Sequence, residues 1–210
     1  MIKKYIYIIL ILFSFFSSCK EVAEKTVETI AGVEKKELIG KYHTIKSEKI
    51  KIFLPEEFQY ISENKYLKEI QRTKEISIFN SEKARLEFVK DSGRKIYLFE
   101  YFKGGSMVNI LPERYVEFNN SDAKYLLAII DKAIKANNHP ETTFEIMESQ
   151  FKGNKNLSIF KVIYKIKLPK ATVAVYKYVY FISYNKKSVF VNLETPVLFD
   201  FDPYIEKIRL

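Results

Sequence analysis

The chain has 210 residues with 35 Lys and Arg against 26 Asp and Glu, a formal net charge of +9 at pH 7. Its one cysteine, Cys19, excludes an intrachain disulfide, so the fold depends on a hydrophobic core. Thirty of the cations are Lys, and no basic run exceeds two residues. This distribution argues against a nucleic-acid partner, because Arg clusters are favoured for bidentate phosphate contacts.

The first 19 residues have the pattern of an export signal. Lys3 and Lys4 precede a predominantly apolar run over residues 5–16. This run fits a signal-peptide core and is shorter than the ~20 residues that cross a bilayer as a helix. Ser17 and Ser18 are small residues typical of a cleavage site, and Cys19 follows them directly.

The segment Phe16-Ser17-Ser18-Cys19 resembles the lipobox of bacterial lipoproteins. The resemblance implies cleavage before Cys19, a diacylglyceryl group on its thiol and acylation of the new amine. Two or more acyl chains attach a protein stably to a membrane, whereas one chain binds marginally. Two alternatives remain open: an ordinary secretory signal that leaves a free thiol, and an uncleaved N-terminal anchor.

The residues after the cysteine bear on which membrane holds the protein. Lys20-Glu21 lacks the aspartate associated with inner-membrane retention in enteric bacteria and partly resembles the surface-export signal of Bacteroidetes lipoproteins. We therefore expect an outer-membrane location in the cell envelope, with the leaflet left open. Without Lys3 and Lys4, the mature chain keeps 33 Lys and Arg against 26 Asp and Glu, a net charge of +7.

Residues 20–40 are charged and contain one narrow apolar stripe, which predicts a short helix. The stripe consists of Ala23, Val27, Ile30 and Ala31. It either belongs to a spacer between membrane and domain, our preferred interpretation, or packs on the domain. We thus expect three segments: a signal peptide at residues 1–18, a lipidated Cys19 with a spacer through residue 40, and a single globular domain at residues 41–210.

The first half of the domain combines strands with a helical region. Alternating apolar residues predict strands at residues 41–46 and 49–54. Residues 60–89 favour helix, most clearly at 81–90, where Asn80 or Ser81 could cap the helix and Ala84, Leu86 and Phe88 could face inwards. Next, residues 95–111 predict a hairpin that turns at Gly104-Gly105, extended by residues 115–118.

The second half is predicted as one long helix, a meander and a short final helix. Asn120 or Ser121 caps the long helix, whose inward stripe is Leu126, Ile130, Ala133 and Ile134, backed by Ile129. Strands follow at residues 142–151, 157–168, 172–184 and 188–193. Asp202-Pro203 predicts an N-cap and a first-turn proline for the final helix.

This order of elements predicts an α+β fold with a largely antiparallel sheet flanked by helices. Residues 50–210 resemble the PsbP-like family, an α/β/α sandwich. The match consists of the early strand ending in Leu54-Pro55-Glu56-Glu57-Phe58 and the late meander that runs into a C-terminal helix. The resemblance implies a mostly non-catalytic family with assembly or binding roles, and it supplies no catalytic residues.

The sequence contains no pattern that predicts catalysis. His43 and His139 lack a second ligand at metal-binding spacing, and we find no nucleophile elbow, phosphate-binding loop or dinucleotide motif. Glu145 and Glu148 could form a carboxylate pair for glycoside cleavage, but a regular strand would place them on opposite faces. We therefore expect no metal, no cofactor beyond the lipid on Cys19, and no enzymatic activity.

A strip of tyrosines is the most unusual local feature and the candidate ligand-binding site. Tyr176, Tyr178, Tyr180 and Tyr184 share one face of a strand. Beside Lys161 or Lys165, this strip could stack sugars or hold an acidic ligand. Alternatively, the tyrosines line a half-buried sheet beneath a helix, with their hydroxyls at the rim.

Three classes of function follow, and each predicts a different structure. The leading hypothesis is a non-catalytic envelope lipoprotein that contacts membrane lipid through Cys19 and binds a partner protein or envelope component; it predicts a filled core and an exposed apolar patch. A carrier or sensor of an apolar or sugar-like molecule predicts a cavity beneath the tyrosines. A hydrolase, the least favoured, predicts clustered acids and bases in a cleft. The oligomeric state stays open.

Overall fold

The computed structural model describes residues 37–73, 76–136, 140–154, 156–169 and 171–210. The predicted signal, the lipidation site Cys19, the predicted spacer helix and His139 lie outside the described residues. Residues 39–210 form one compact unit. No helix in the described part of the chain is long and apolar enough to cross a bilayer.

Nine strands and four helices make up the described part of the domain. The strands are β1 (Lys41–Ile45), β2 (Ile50–Leu54), β3 (Gln59–Ile61), β4 (Tyr97–Tyr101), β5 (Ser106–Glu113), β6 (Thr143–Gly153), β7 (Leu157–Lys167), β8 (Val175–Tyr184) and β9 (Lys187–Thr195). The helices are α1 (Glu63–Thr73), α2 (Ile76–Asp91), α3 (Ala123–Ala136) and α4 (Asp202–Ile205). Short 3₁₀ turns occupy Phe102–Gly104 and Asn120–Asp122.

Seven strands form an open antiparallel sheet in the order β3-β4-β5-β9-β8-β7-β6, and β1 and β2 form a separate hairpin. The predicted α+β class with a hairpin and a four-stranded C-terminal meander is confirmed. The pairing of β5 with β9 joins the early hairpin to the meander. No sequence pattern specified this pairing.

Both faces of the large sheet are buried. We call one the tyrosine face; it includes Tyr178 and Tyr180 and packs against hairpin β1–β2 and the C-terminal residues 199–210. The opposite side, the helical face, is covered by α3 near β7 and β8 and by α1 and α2 near β3 and β4. Cores on both sides explain why β8 is apolar on both faces.

The predicted hairpin turn at Gly104-Gly105 is confirmed, and asparagines occupy two further hairpin turns. Gly105 has φ +61°, which a residue without Cβ adopts at little cost. Asn185 and Lys186 also have positive φ, as a two-residue hairpin turn requires. The side-chain oxygen of Asn154 accepts hydrogen bonds from the backbone N–H groups of Asn156 and Leu157 at the β6–β7 turn.

Several helix predictions were wrong in detail. α2 begins at Ile76, so Asn80 and Ser81 lie inside the helix and cap nothing. Its inward residues are Leu86 and Val89, which pack on β3 and β4, whereas Phe88 is 67% exposed. Ala84 is also exposed, because the contact with the sheet follows an i, i+3 line instead of the predicted stripe.

The start and inner face of α3 also differ from the prediction. Asn119, one residue before the predicted cap, accepts a hydrogen bond from the Ser121 backbone N–H, and Asp122 accepts one from the Asn119 backbone N–H. Ile130 and Ile134 are buried as predicted, but Ala133 and Ile129 are exposed. Residues 115–118 were predicted to extend the early hairpin, but they form no strand.

Candidate functional site

The structure brings the predicted tyrosine strip and its lysines together on one face of β7 and β8. Lys161 lies opposite Tyr180, and Lys165 lies opposite Tyr176. The burial of the strip is uneven. Tyr178 and Tyr180 are each 1% exposed, Tyr176 is half-buried, and Tyr184 at the strand end is 42% exposed.

The C-terminal segment covers the two buried tyrosines. The ring of Tyr178 contacts Phe199 and Phe201, with centroid distances of 6.1 and 6.4 Å. Its hydroxyl donates to the backbone oxygen of Phe199 at 2.8 Å and accepts from the backbone N–H of Phe199 at 3.0 Å. The Tyr180 ring lies 6.1 Å from that of Phe201. These hydroxyls end inside the protein, where they fasten the C-terminal segment to the sheet.

Lys161 is the centre of a charged cluster beneath α4. Its Nζ lies 2.7 Å from Asp202 Oδ2 and 2.5 Å from Glu148 Oε1. The other carboxylate oxygen of Asp202 accepts a hydrogen bond from the Tyr180 hydroxyl at 2.7 Å. One buried ammonium is thus matched by two carboxylates that are partly exposed, an arrangement that offsets the cost of burying the charge.

The protonation states in this cluster argue for a structural role. Burial opposes the charged form of Lys161, but its bonds to Asp202 and Glu148 outweigh burial and raise its pKa. Burial and the Asp202 carboxylate both raise the pKa of Tyr180. Both groups therefore stay protonated at neutral pH, where neither serves as a general base.

Two sequence expectations about this cluster were wrong. Asp202 was expected to cap α4, but Phe201 occupies the N-cap position without a side-chain bond, and the Asp202 carboxylate turns towards Lys161 and Tyr180. Glu145 and Glu148 were expected on opposite faces. The register of β6 shifts between Ile146 and Glu148, so both glutamates lie on the tyrosine face.

The space beside the cluster is small. A cavity of about 60 Å³ lies among Lys161, Tyr180 and Asp202. A single water needs about 10–15 Å³ by this measure, so there is room for a few waters. Small-molecule sites typically measure about 300–1,000 Å³. A ligand-binding role for the six predicted residues stays a prediction, and the geometry favours a core role for Tyr178, Tyr180 and Lys161.

A larger groove lies at the helical face, where the sequence predicted no site. It measures about 710 Å³ and includes the stacked rings of Phe181 and Phe190, whose centroids are 4.5 Å apart. Val116 and Pro112 add apolar surface. Phe181 and Phe190 lie directly opposite each other in β8 and β9. The alternation of side chains along each strand was visible in the sequence, but the residues that lie beside these two rings in space were not.

Charged residues surround this groove. Arg94 Nη1 lies 2.5 Å from Glu113 Oε1, and Lys95 Nζ lies 3.4 Å from Glu48 Oε1. Arg114 is exposed and makes no ion pair with another described residue. Two matched pairs and one further cation leave the rim with a net charge of +1, which suits a ligand or peptide with apolar and acidic parts.

A second carboxyl site joins α1 to β4. Burial, together with the neighbouring Glu69, raises the pKa of Glu100 to about 7. Lys65 opposes this shift, and its Nζ lies 3.8 Å from Glu69. At neutral pH Glu100 is thus partly protonated and shares a hydrogen bond with Glu69. The sequence did not reveal this pair, because 31 positions separate its members.

The ring of His43 lies against an aromatic neighbour. Its ring packs against Phe99 at a centroid distance of 4.9 Å. Burial, with a smaller contribution from Lys41, lowers its pKa. Across residues 37–210, apart from the undescribed positions, no three His, Cys, Asp or Glu side chains are grouped so that they could hold a metal ion.

Comparisons with known proteins identify the fold and no closer kinship. No family model and no curated protein matches the sequence. Cyanobacterial PsbP (CyanoP) from Synechocystis sp. PCC 6803 is structurally similar, with a TM-score of 0.52 and 8% identity over 85% of this chain and 97% of that one. The Ran-binding protein Mog1p of Saccharomyces cerevisiae gives a TM-score of 0.41 and 10% identity over 76% of this chain and 78% of that one. The likeness to CyanoP supports the PsbP-like arrangement inferred from the order of elements.

Proposed function

We propose that this protein is a lipid-anchored component of the bacterial cell envelope whose domain is a non-catalytic interaction module. Phe16-Ser17-Ser18-Cys19, placed after a charged start and an apolar run, supports anchoring through Cys19. The residues after the cysteine favour the outer membrane. The lipid is covalent, and the module needs no further cofactor.

One observation favours an interaction module over a carrier. The aromatic strip that could have held a ligand is filled by the protein's own residues, with Tyr178 and Tyr180 each 1% exposed. Their hydroxyls bond to Phe199 and Asp202, so these two groups are not free to orient a ligand. This supports a binding surface on the outside of the domain.

A specific observation favours one alternative, a carrier or sensor that uses the groove at the helical face. The volume of about 710 Å³ lies within the usual range for small-molecule sites. The half-buried Phe190 offers aromatic surface, with the buried Phe181 stacked against it, and Arg114 offers a cation. This moves the carrier hypothesis from the tyrosine face to the opposite side of the sheet.

The anchor is tested by comparing the wild type with Cys19→Ser after expression with the native signal. We expect the wild-type chain in the membrane fraction, with an intact mass that shows cleavage before Cys19 and added acyl groups. The variant should lose both the acyl mass and membrane attachment. An unacylated wild-type chain, or a Cys19→Ser chain that stays membrane-bound, would contradict the anchor.

The choice between module and carrier is tested by native mass spectrometry of the full-length protein released from detergent micelles. The interaction module predicts the mass of the acylated chain alone. A carrier predicts a reproducible extra mass that leaves on denaturation and is lost in Arg114→Ser. The matched control is Lys124→Ser, an exposed position on α3 outside the groove.

A further inference from the structure

The two edges of the seven-stranded sheet differ in length. β3, at one edge, has 3 residues, and β6, at the other, has 11. Within the described residues, no strand pairs with the outer side of β6. A long exposed edge presents backbone N–H and C=O groups that can pair with another chain, and short edge strands are a common protection against this.

A bulge divides β6 into two parts. The register with β7 shifts between Ile146 and Glu148, and residues 148–153 then pair regularly with β7. The straight part is exposed, apart from the half-buried Phe151. Ile146 and Met147 at the bulge are 46% and 44% exposed, which adds apolar surface beside the straight edge.

We infer that β6 pairs with β6 of a second copy of this chain, antiparallel and centred on Gln150. In this register Glu148 of each copy lies opposite Lys152 of the other. Lys152 exchanges its exposed pair with Glu206 for this contact, and Glu148 keeps Oε1 on Lys161 and offers Oε2, so two opposite-charge pairs form. Pairing with β7 places Glu148, Gln150 and Lys152 on the same face, as direct cross-strand contacts require. A shift of one or two residues in either direction removes both charge pairs.

The symmetry of this pairing suits a membrane anchor. The two-fold axis of an antiparallel strand pair is perpendicular to the sheet, so the tyrosine faces of both copies point the same way. The carbonyl of Ile39, where the compact unit begins, accepts a hydrogen bond from Tyr204 on that face. Both chains therefore enter their domains on one side of the joined sheet. This point rests on the proposed anchor, whose two copies share one leaflet.

The area of the interface sets its strength. A ladder of about five residues buries less than the ~1,200 Å² of a standard stable interface, so the pairing is weak in dilute solution. Confinement to one membrane raises the effective concentration and favours the dimer without any new contact. An extended segment of another protein would use the same edge but would not need the Gln150-centred register.

Cysteine cross-linking of the full-length chain in native membranes tests the inference. Gln150→Cys places two thiols at the two-fold axis, and mild oxidation should yield at least about ten times more disulfide-linked dimer than Gln59→Cys. Gln59 is the matched control, because it is an exposed glutamine on the opposite edge strand, β3. Co-expressed Glu148→Cys and Lys152→Cys chains should cross-link to each other, and neither should cross-link to itself.

Two results would overturn the inference. One is no excess of dimer in Gln150→Cys over Gln59→Cys, and the other is self-linking of Glu148→Cys as strong as its linking to Lys152→Cys. Failure of the anchor gives a different signature, because an unacylated Cys19 would produce disulfide dimers in the wild-type chain itself. Gln150→Cys and Gln59→Cys carry the same Cys19, so the excess of dimer in the first over the second reports β6 pairing in either case.

Discussion

The two faces of the seven-stranded sheet both bury aromatic rings, but they differ in what covers them. On the tyrosine face, Tyr178 and Tyr180 are sealed by the C-terminal segment, and their hydroxyls have partners inside the protein. On the helical face, Phe181 and Phe190 stack at a groove between elements that leave about 710 Å³ open. A row of aromatic residues in the sequence is therefore weak evidence for a binding site, because aromatic residues on opposite faces of the same strand, β8, have different surroundings.

The sharpest test of this difference is to truncate one ring on each face. Tyr180→Ala should lower the free energy of unfolding by about 3–5 kcal/mol, because it creates a cavity and frees the Asp202 carboxylate. Phe190→Ala should cost about 2 kcal/mol or less, because that half-buried ring borders an open groove that water can fill. Urea unfolding followed by circular dichroism measures both. Equal losses would contradict the contrast between the faces.

The two lysines of the tyrosine face offer the next comparison. Lys161→Met should cost about 1–3 kcal/mol, because two carboxylates lose a buried partner. Lys165→Met should change stability by less than about 0.5 kcal/mol, because its pair with Glu145 spans 3.7 Å and is largely exposed. Denaturation at low and high salt checks this prediction. A Lys161→Met protein as stable as Lys165→Met would show that the cluster does not hold α4.

Glu100 predicts a pH dependence on the α1 side of the sheet. Its folded-state pKa is raised to about 7, above the ordinary value of 4.5, so the folded state binds more protons between these values. The free energy of unfolding should therefore fall as pH rises through this window. Glu100→Gln removes the ionisation and should be more stable than wild type at pH 8 by about 1–2 kcal/mol, after allowance for solvent screening.

The control for this pH effect is Glu117→Gln, at an exposed position. Comparing each variant with the wild type at the same pH, first at pH 4 and then at pH 8, also cancels the contribution of His43. The lowered pKa of His43 makes the free energy of unfolding rise with pH, which is opposite to the effect of Glu100. If Glu100→Gln gains no stability at pH 8 relative to pH 4, Glu100 ionises normally in the folded protein.

The smallest effect is expected at the groove. Arg114→Ser should alter the free energy of unfolding by no more than about 0.5 kcal/mol, because the side chain is exposed and makes no ion pair with a described residue. Thermal unfolding of the variant and wild type measures this. A loss above about 1 kcal/mol would show that Arg114 supports the fold instead of lining an open surface.

Local patterns predicted most of the fold. Alternation in β2 placed Ile50, Ile52 and Leu54 in the core, and Gly104-Gly105 located a hairpin turn, because period and turn chemistry depend only on neighbours in sequence. The start of α2 was missed, because Asn80 and Ser81, which were predicted as caps, lie inside the helix that the structure describes from Ile76. The inward face of α2 was predicted incorrectly, because its burial depends on the tertiary contacts of Leu86 and Val89 with the sheet.

The site was less predictable than the fold for a physical reason. The sequence correctly put Tyr180 and Lys161 on one face, but whether such a face binds a ligand or forms core depends on what covers it. The cover comes from residues 199–210, and Asp202 joins it to the sheet across 41 positions from Lys161. The β6 bulge, which redirects Glu148 towards Lys161, also leaves no simple pattern in the sequence.

Tyrosine nitration of the native full-length protein distinguishes a buried tyrosine face from an open one, since it reports which rings solvent reaches. We expect rapid modification of Tyr125 and Tyr60, which are 73% and 60% exposed, and none of Tyr178 or Tyr180 until the protein unfolds. Peptide mapping by mass spectrometry locates the modified rings. Nitration of Tyr178 and Tyr180 at a rate close to that of Tyr125 would contradict the account, because the tyrosine face would then be an open surface and not the core.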